Sequence, residues 1–290
     1  MFPGEFEYHA PDTIEEALDL LSRHGSDAKL LAGGHSLIPM MKLRLASSGH
    51  LVDLRKLKSS LSYVREENGD LAIGALTTHA EVESSGSLQQ KAAPLAEAAG
   101  QIGDVQVRNM GTLGGSLAHA DPAADQPAPA LALEAQLVAQ GPGGRRTIPA
   151  DQFFHGFFAT ALQQDELLVE VRVAGLGANS GGAYLKVPHP ASGYAVCGVA
   201  AVVETDGAGN CVKCRVGVTG ISDGAYRATG VESALEGSAI NADSIAAASA
   251  HATDGVEPLD DYFAGADYRR ALAAAYVKRA LTTASERAGG

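Results

Sequence analysis

"LLAGGHSLIPMMKLR", residues 30–44, sets two adjacent glycines between an apolar run and His35-Ser36. A residue without a Cβ lets another group come close to the main chain, so the pair reads as a place of close approach. Outward from it the pattern becomes regular. Upstream, "PDTIEEALDLL" reads as a helix start. Asp12 or Thr13 can cap it, Glu15 and Glu16 sit in the favourable first turn, and Ile14, Ala17, Leu18 and Leu21 share one face. Gly25 ends that helix, and "AKLLA" follows as a short buried strand. Beyond the glycines a short helical stretch leads to "HLVDL", again strand-like. Strand, glycine turn, helix and strand thus follow one another within about thirty residues.

The chain has 290 residues, of which 46% are hydrophobic, enough for one large domain or two or three subdomains. Its apolar runs fall short of the roughly 18 residues that a membrane helix needs. The opening "MFPGEFEYHAPD" has no basic region followed by an apolar one, which points to a cytoplasmic protein. Lys plus Arg is 22 and Asp plus Glu is 34, a formal net charge of −12. That field repels nucleic-acid phosphates and no basic run opposes it, so a nucleic-acid partner is excluded. A bound phosphate must instead be held locally, by backbone amides and a few placed cations.

The cysteines are Cys197, Cys211 and Cys214, an odd number that suits a reducing compartment. "CVKC" lies in a strand-like stretch. Residues three apart on a regular strand point to opposite faces, so the pair reads as structural thiols rather than a metal or iron–sulfur site.

From Tyr63 to Val173 the texture changes. "DLAIGAL" and "ELLVEVRV" read as strands, "APLAEAAGQIG" as a helix opened by Pro94, and "ALEAQLVAQGPGGRRTIPA" as strands around a glycine-rich turn. "GLGANSGG", residues 175–182, marks a boundary. After it, "GAYLKV", "YAVCGVAAVVE" and "CVKCRVGVTG" suggest an antiparallel sheet with a hairpin at "TDGAGN". The remainder is Ala-rich and helical: "ATGVESAL", "DSIAAASAH" and "ADYRRALAAAYVKRALTTASER". The class is α+β in three parts: 1–58, 59–177 and 178–290.

A second glycine motif, "RNMGTLGGSLAHADPAAD" at residues 108–125, repeats the theme of the first. Gly114 and Gly115 stand beside Thr112 and Ser116. Main-chain N–H groups aimed into one concavity form an anion nest, strengthened where a helix begins. Two such loops suit the two sides of a pyrophosphate, with Asp125 able to accept from a ribose. A lone glycine pair is more often a plain turn. Neither the G-x-G-x-x-G fingerprint nor a G-x-x-x-x-G-K-[ST] loop is present, so the usual NAD and ATP signatures are absent.

"AGGHSLIP" followed by "TLGGSLAHADPAAD" resembles the paired signature of the FAD-binding medium subunits of molybdenum hydroxylases, the xanthine dehydrogenase family. The resemblance is closest to the carbon monoxide dehydrogenase branch. It runs the full length, through "FEYHAPDTIEEAL", "HLVDLRKL" and "ASGYAV" to the helical tail. It implies a p-cresol methylhydroxylase-type FAD-binding domain of two α/β subdomains, then a C-terminal antiparallel sheet with helices. It further implies that Lys29, Leu30, Leu31, Ala32, Gly33, Gly34, His35, Ser36 and Leu37 wrap the FAD pyrophosphate. Gly111, Thr112, Gly114, Gly115 and Ser116 then supply the second loop, and Asp125 contacts the adenosine side. Leu168 and Lys186 match positions near flavin or adenine, and Tyr194 an aromatic near the isoalloxazine. The sequence departs from the family at Ser116, where Asn is usual, and in the loop "VPHPASGYA". His35 and His119 read as loop residues held by hydrogen bonds, and Arg108 and Lys42 as cations able to soften phosphate charge.

The resemblance implies an oxidoreductase subunit that carries FAD and makes or breaks no substrate bond, so no catalytic residue and no metal are assigned to this chain. [2Fe–2S] clusters and the molybdenum cofactor belong, by the same implication, to a small and a large partner subunit, in a dimer of heterotrimers. Electrons then pass to a quinone, NAD or another acceptor, with association at the inner face of the membrane through partners. The alternatives are a medium subunit acting with another substrate class (xanthine, N-heterocycle or aldehyde), a self-sufficient flavin oxidase of related fold, and an interaction subunit whose glycine loops are only structural.

Overall fold

The computed structural model describes residues 2–289. Three sheets follow one another along the chain. The first is parallel, in the order β1-β3-β2, from β1 (Glu7–His9), β2 (Ala28–Leu31) and β3 (His50–Asp53). Helix α1 (Ile14–His24) connects β1 to β2, and α2 (Leu37–Lys42) lies between β2 and β3. Of the two capping candidates it is Thr13 whose side chain caps α1, accepting from the Glu16 amide at 3.1 Å. Ala17, Leu18 and Leu21 bury the apolar face of α1 against Val52 and Leu54.

After α3 (Lys58–Leu61) comes a five-stranded antiparallel sheet, β4-β5-β8-β6-β7. Its strands are β4 (Val64–Glu67), β5 (Asp70–Gly74), β6 (Gln136–Gly141), β7 (Gly144–Pro149) and β8 (Leu167–Ala174). Between β5 and β6 the chain makes six short helices: α4 (His79–Ser84), α5 (Gly86–Lys91), α6 (Ala93–Gly100), α7 (Val105–Met110), α8 (Leu113–His119) and α9 (Pro127–Ala132). Pro94 starts α6 as its sequence suggests, since a proline early in the first turn has no intrahelical bond to lose.

The third sheet, β12-β11-β10-β9, is antiparallel. It comprises β9 (Ser180–Pro188), β10 (Ala195–Thr205), β11 (Cys211–Thr219) and β12 (Tyr226–Arg227), followed by α10 (Thr229–Leu235), α11 (Ala242–Ser249) and α12 (Ala266–Ala288). The run "YAVCGVAAVVE" lacks polar alternation because β10 is covered on both faces. Ala200 and Val202 join the core of the middle unit, while Val199, Ala201 and Val203 pack under the C-terminal helices. Tyr184 on β9 reaches the same middle core, so the third sheet and the middle unit share one hydrophobic interior.

One expectation is corrected here. Cys211 and Cys214 do not point to opposite faces. The register runs Glu204 to Lys213 and then Thr205 to Cys211, which leaves Val212 as an extra residue in a β-bulge. The bulge turns both thiols into the same core. The neighbouring Cys211 thiol, followed by burial, pushes the Cys214 thiol far up, so it stays protonated.

Candidate functional site

Both glycine motifs line one cleft of about 560 Å³ between the first sheet and the middle unit. That lies within the roughly 300–1,000 Å³ usual for small-molecule and cofactor sites. Residues 29–37 all face it, as do Gly111, Thr112, Gly114, Gly115, Ser116, Asp125, Leu168 and Tyr194.

The first motif forms the loop where β2 ends at Leu31 and α2 begins at Leu37. Gly34 has φ +73°, a left-handed conformation that favours glycine. A Cβ on Gly33 would overlap the Met110 carbonyl oxygen and lie 2.8 Å from the Gly111 Cα, so the two motifs touch backbone to backbone. His35 Nδ1 donates to the Gly33 carbonyl at 2.9 Å and holds the loop from inside. Among the described residues, the backbone N–H groups of Gly33, Gly34, His35, Ser36 and Leu37 donate to no protein acceptor. Five consecutive unbonded amides at a cleft make an anion nest.

The second motif is different. The sequence suggests a second set of free amides, but those of α8's first turn are already bonded. Leu113 donates to the Thr77 carbonyl and Gly114 to the Ala75 carbonyl, both at 2.9 Å. Gly115 donates to Thr112 Oγ1 and Ser116 to the Thr112 carbonyl, both at 3.0 Å. The physical reason is that Thr112 caps α8 while bridging Thr78, which ties the helix start to the end of β5. The glycines here serve packing: a Cβ on Gly114 would lie 2.7 Å from the Ala75 carbonyl oxygen. The second loop therefore offers a smooth wall with the Ser116 and Thr112 hydroxyls, not a second nest.

Asp125 reaches the cleft from a buried position, 4% exposed. Its Oδ1 accepts from the Tyr184 hydroxyl at 2.5 Å and its Oδ2 from Lys186 Nζ at 2.8 Å. Burial pushes its carboxyl up from the usual range, against the opposing pull of Lys186. A carboxylate has about four lone-pair positions, so room remains for a further donor. Lys186 stands behind Asp125 and donates also to the Gln101 carbonyl at 3.0 Å, so it acts on the cleft only through Asp125.

Tyr194 is presented by the loop between β9 and β10. His189 Nδ1 organises that loop, accepting from the Ala191 and Ser192 amides at 3.2 Å each. Tyr194 and Ser36 both line the cleft, and burial raises the Tyr194 phenol pKa. Leu168, on β8, lies at the apolar wall, and His119 packs on Phe158 with ring centroids 4.9 Å apart. Arg108 is committed elsewhere, to Glu83 at 2.9 Å and to the Ile102 carbonyl, and Lys42 is not in the lining. Of the lining residues only Lys29 carries a fixed positive charge, so an anion here is held chiefly by dipoles.

Sequence reasoning missed His79, the first residue of α4. It lines the cleft at 4% exposure, and its Nδ1 has no hydrogen-bond partner. The signal was present: Thr78 and Glu81 form a T-x-x-E capping box, which fixes His79 at the helix start. Burial, followed by the nearby Arg108, holds the His79 pKa down to about 4. In the unfolded chain it titrates near 6.5, so the unfolded state binds the proton first. The contribution is absent above about pH 6.5, and stability is lost as pH falls toward 4, by about 2 kcal/mol at pH 5. Urea unfolding of the apoprotein at pH 7.5 and 5.0, compared with His79→Phe, checks this. An equal pH loss in the variant would remove His79 as the source.

The donor set fits a flavin dinucleotide: five amides for a diphosphate, an unpartnered buried imidazole nitrogen, and an apolar wall under an aromatic ring. The FAD-binding domain of molybdopterin dehydrogenases matches residues 4–174, and the C-terminal domain of CO dehydrogenase flavoproteins matches residues 182–284. The carbon monoxide dehydrogenase medium chain of Hydrogenophaga pseudoflava is 45% identical over 285 residues, 98% of each chain. The alpha subunit of the 6-hydroxypseudooxynicotine dehydrogenase complex of Paenarthrobacter nicotinovorans is 38% identical, covering 99% of this chain and 97% of that one. Among solved structures, the Hydrogenophaga pseudoflava carbon monoxide dehydrogenase lacking the Mo-pyranopterin moiety superposes with a TM-score of 0.95 at 45% identity, covering 99% of both chains.

Proposed function

This chain belongs to the FAD-binding medium subunits of the molybdenum hydroxylases, and we propose that it serves a carbon monoxide dehydrogenase. When bound, FAD supplies the redox chemistry of this subunit, accepting electrons from [2Fe–2S] clusters on a small partner chain and yielding them to an external acceptor such as a quinone. The residues of this chain hold and orient it. The amides of Gly33 to Leu37 receive the diphosphate, and the Ser116 and Thr112 hydroxyls border it. Asp125, held by Lys186 and Tyr184, accepts from the adenosine side. Tyr194, presented by the loop that His189 organises, covers the isoalloxazine, with Leu168 on the apolar side. Residues 1–58 and 59–177 form the two halves of this cradle, and 178–290 close it. The partners are the small iron–sulfur subunit and a large molybdenum subunit, arranged as a dimer of heterotrimers.

The observation that carries this reading is the run of five unbonded amides in the "AGGHSL" loop. Among the described residues no helix is long and apolar enough to cross a membrane. Titrating FAD into the purified chain, followed by quenching of flavin fluorescence, should saturate at one equivalent. Purified complex devoid of FAD would overturn the cofactor reading. Carbon monoxide as the substrate rests on the 45% identity, and the nicotine-derived substrate class of the 38% relative is the second reading. Dye reduction by the complex, supplied with carbon monoxide or with N-heterocycles, purines and aldehydes, separates them.

A further inference from the structure

Three histidines far apart in sequence meet at one edge of the first sheet. His9 ends β1, His24 is the last residue of α1 and His50 begins β3. The parallel register sets Glu7 opposite His50, and His9, two residues on, projects from the same face of β1 as Glu7. The His24 and His50 rings stack with centroids 3.6 Å apart and planes at 24°, so one of them turns about its side-chain torsions for both to aim a nitrogen at one ion, and the His9 and His50 centroids are 5.3 Å apart. Each ring offers one nitrogen such that all three lie within 4.8 Å of one another. Among the described residues this is the one group of three or more His, Cys, Asp or Glu with that spacing.

We propose that His9, His24 and His50, completed by Glu7, bind a divalent transition-metal ion of the zinc type. A tetrahedral centre with Zn–N bonds of about 2.0–2.1 Å places its ligand atoms about 3.3–3.4 Å apart. His9 Nε2 and His50 Nδ1 already stand 3.1 Å apart. The Glu7 carboxylate oxygen lies 3.5 Å from His50 Nδ1 and 3.9 Å from His9 Nε2, on the side open to solvent. Its side chain is 74% exposed, against 24% for His9 and 18% for His50, so the site is a half-buried tripod with an exposed fourth ligand. Three imidazoles and one carboxylate select zinc, cobalt, nickel or copper over the oxygen-seeking magnesium and calcium. The N–H shared between His9 and His50 moves to the far ring nitrogen of its donor when the metal enters.

The ion would join three separate pieces of chain. β1 is a three-residue edge strand held by three register pairs, and a bond from its last residue to β3 and to the end of α1 pins it in place. His50 lies level with Ala28 at the start of β2, whereas the glycine loop leaves the other end of β2 after Leu31. None of Glu7, His9, His24 and His50 lines the cofactor cleft, so FAD uptake reports on whether a variant has folded.

The test uses the untagged full-length chain, stripped with EDTA and titrated with Zn²⁺ by calorimetry and with Co²⁺ by visible absorption. One equivalent of Zn²⁺ should bind with at least low-micromolar affinity and raise the melting temperature. Co²⁺ should give the intense bands of a tetrahedral site, and Mg²⁺ should give no heat. His24→Ala and His9→Ala should each weaken Zn²⁺ binding by at least about 100-fold, beyond the loss of an outer hydrogen-bond partner. FAD binding should be unchanged in both. Absence of Zn²⁺ binding by the chain, or undiminished binding in both variants, would overturn the proposal.

Discussion

Gly33→Ala should weaken FAD binding by at least about 100-fold while leaving the chain folded. The added methyl would overlap the Met110 carbonyl oxygen and crowd the Gly111 Cα. Both neighbours are main chain, so no flexible side-chain end can yield and the loop itself must move. The same loop carries the five unbonded amides, and hydrogen bonds to a charged acceptor contribute about 1.5–3 kcal/mol each. Misaligning two of them removes about 3–6 kcal/mol, or two to four orders of magnitude in affinity. Gly143→Ala is the control, because a Cβ at that hairpin position meets nothing within 4 Å. Fluorescence titration of both variants, with the FAD content of the co-purified complex, measures the effect. Gly33→Ala binding FAD like the parent chain would show that the close contact does not shape the nest.

Lys186→Met should cost about 3–5 kcal/mol of stability, because it leaves the buried Asp125 carboxylate without its cation. The side chains of the pair are 1% and 5% exposed, and the Tyr184 hydroxyl also donates to Asp125. Removing both charges together, as Asp125→Asn with Lys186→Met, should recover much of that loss, since the desolvation cost disappears with the pair. Urea denaturation of the two variants and the parent gives the comparison directly. A single variant within about 1 kcal/mol of the parent would mean that water reaches Asp125 after all.

The fold was legible where local chemistry decides it. Thr13, Gly25 and the apolar stripe of α1 specify that helix without help from the rest of the chain. The β10 run was likewise legible as a strand of an antiparallel sheet, while its cover on both faces emerged only from the packing. The Cys211–Cys214 geometry was not legible, because a single extra residue, Val212, reverses which face follows and register is a pairing property. The site divides in the same way. Gly33 and Gly34 are conspicuous as a pair after a buried strand, where close approach competes with a plain turn, and the contact with Met110 and Gly111 decides for close approach. The difference between the two glycine loops was hidden, since it depends on Thr77 and Ala75, which lie more than thirty residues before Leu113 and Gly114 and take their amide protons. The meeting of His9, His24 and His50 was hidden for the same reason. No spacing rule links residues brought together by a helix and two parallel strands.

The family's two domain descriptions abut near residue 178, yet the interior of this protein ignores that line. Asp125 and Lys186 pair across it, Thr219 Oγ1 donates to the Pro122 and Ala124 carbonyls, and Tyr184 completes the middle core. A recombination event that joined the first part of one such gene to the last part of another would have to match an ion pair, two carbonyl acceptors and an aromatic socket at once. The two parts therefore carry a shared packing constraint, and a hybrid of two such chains keeps its interior only where both sides of the seam match.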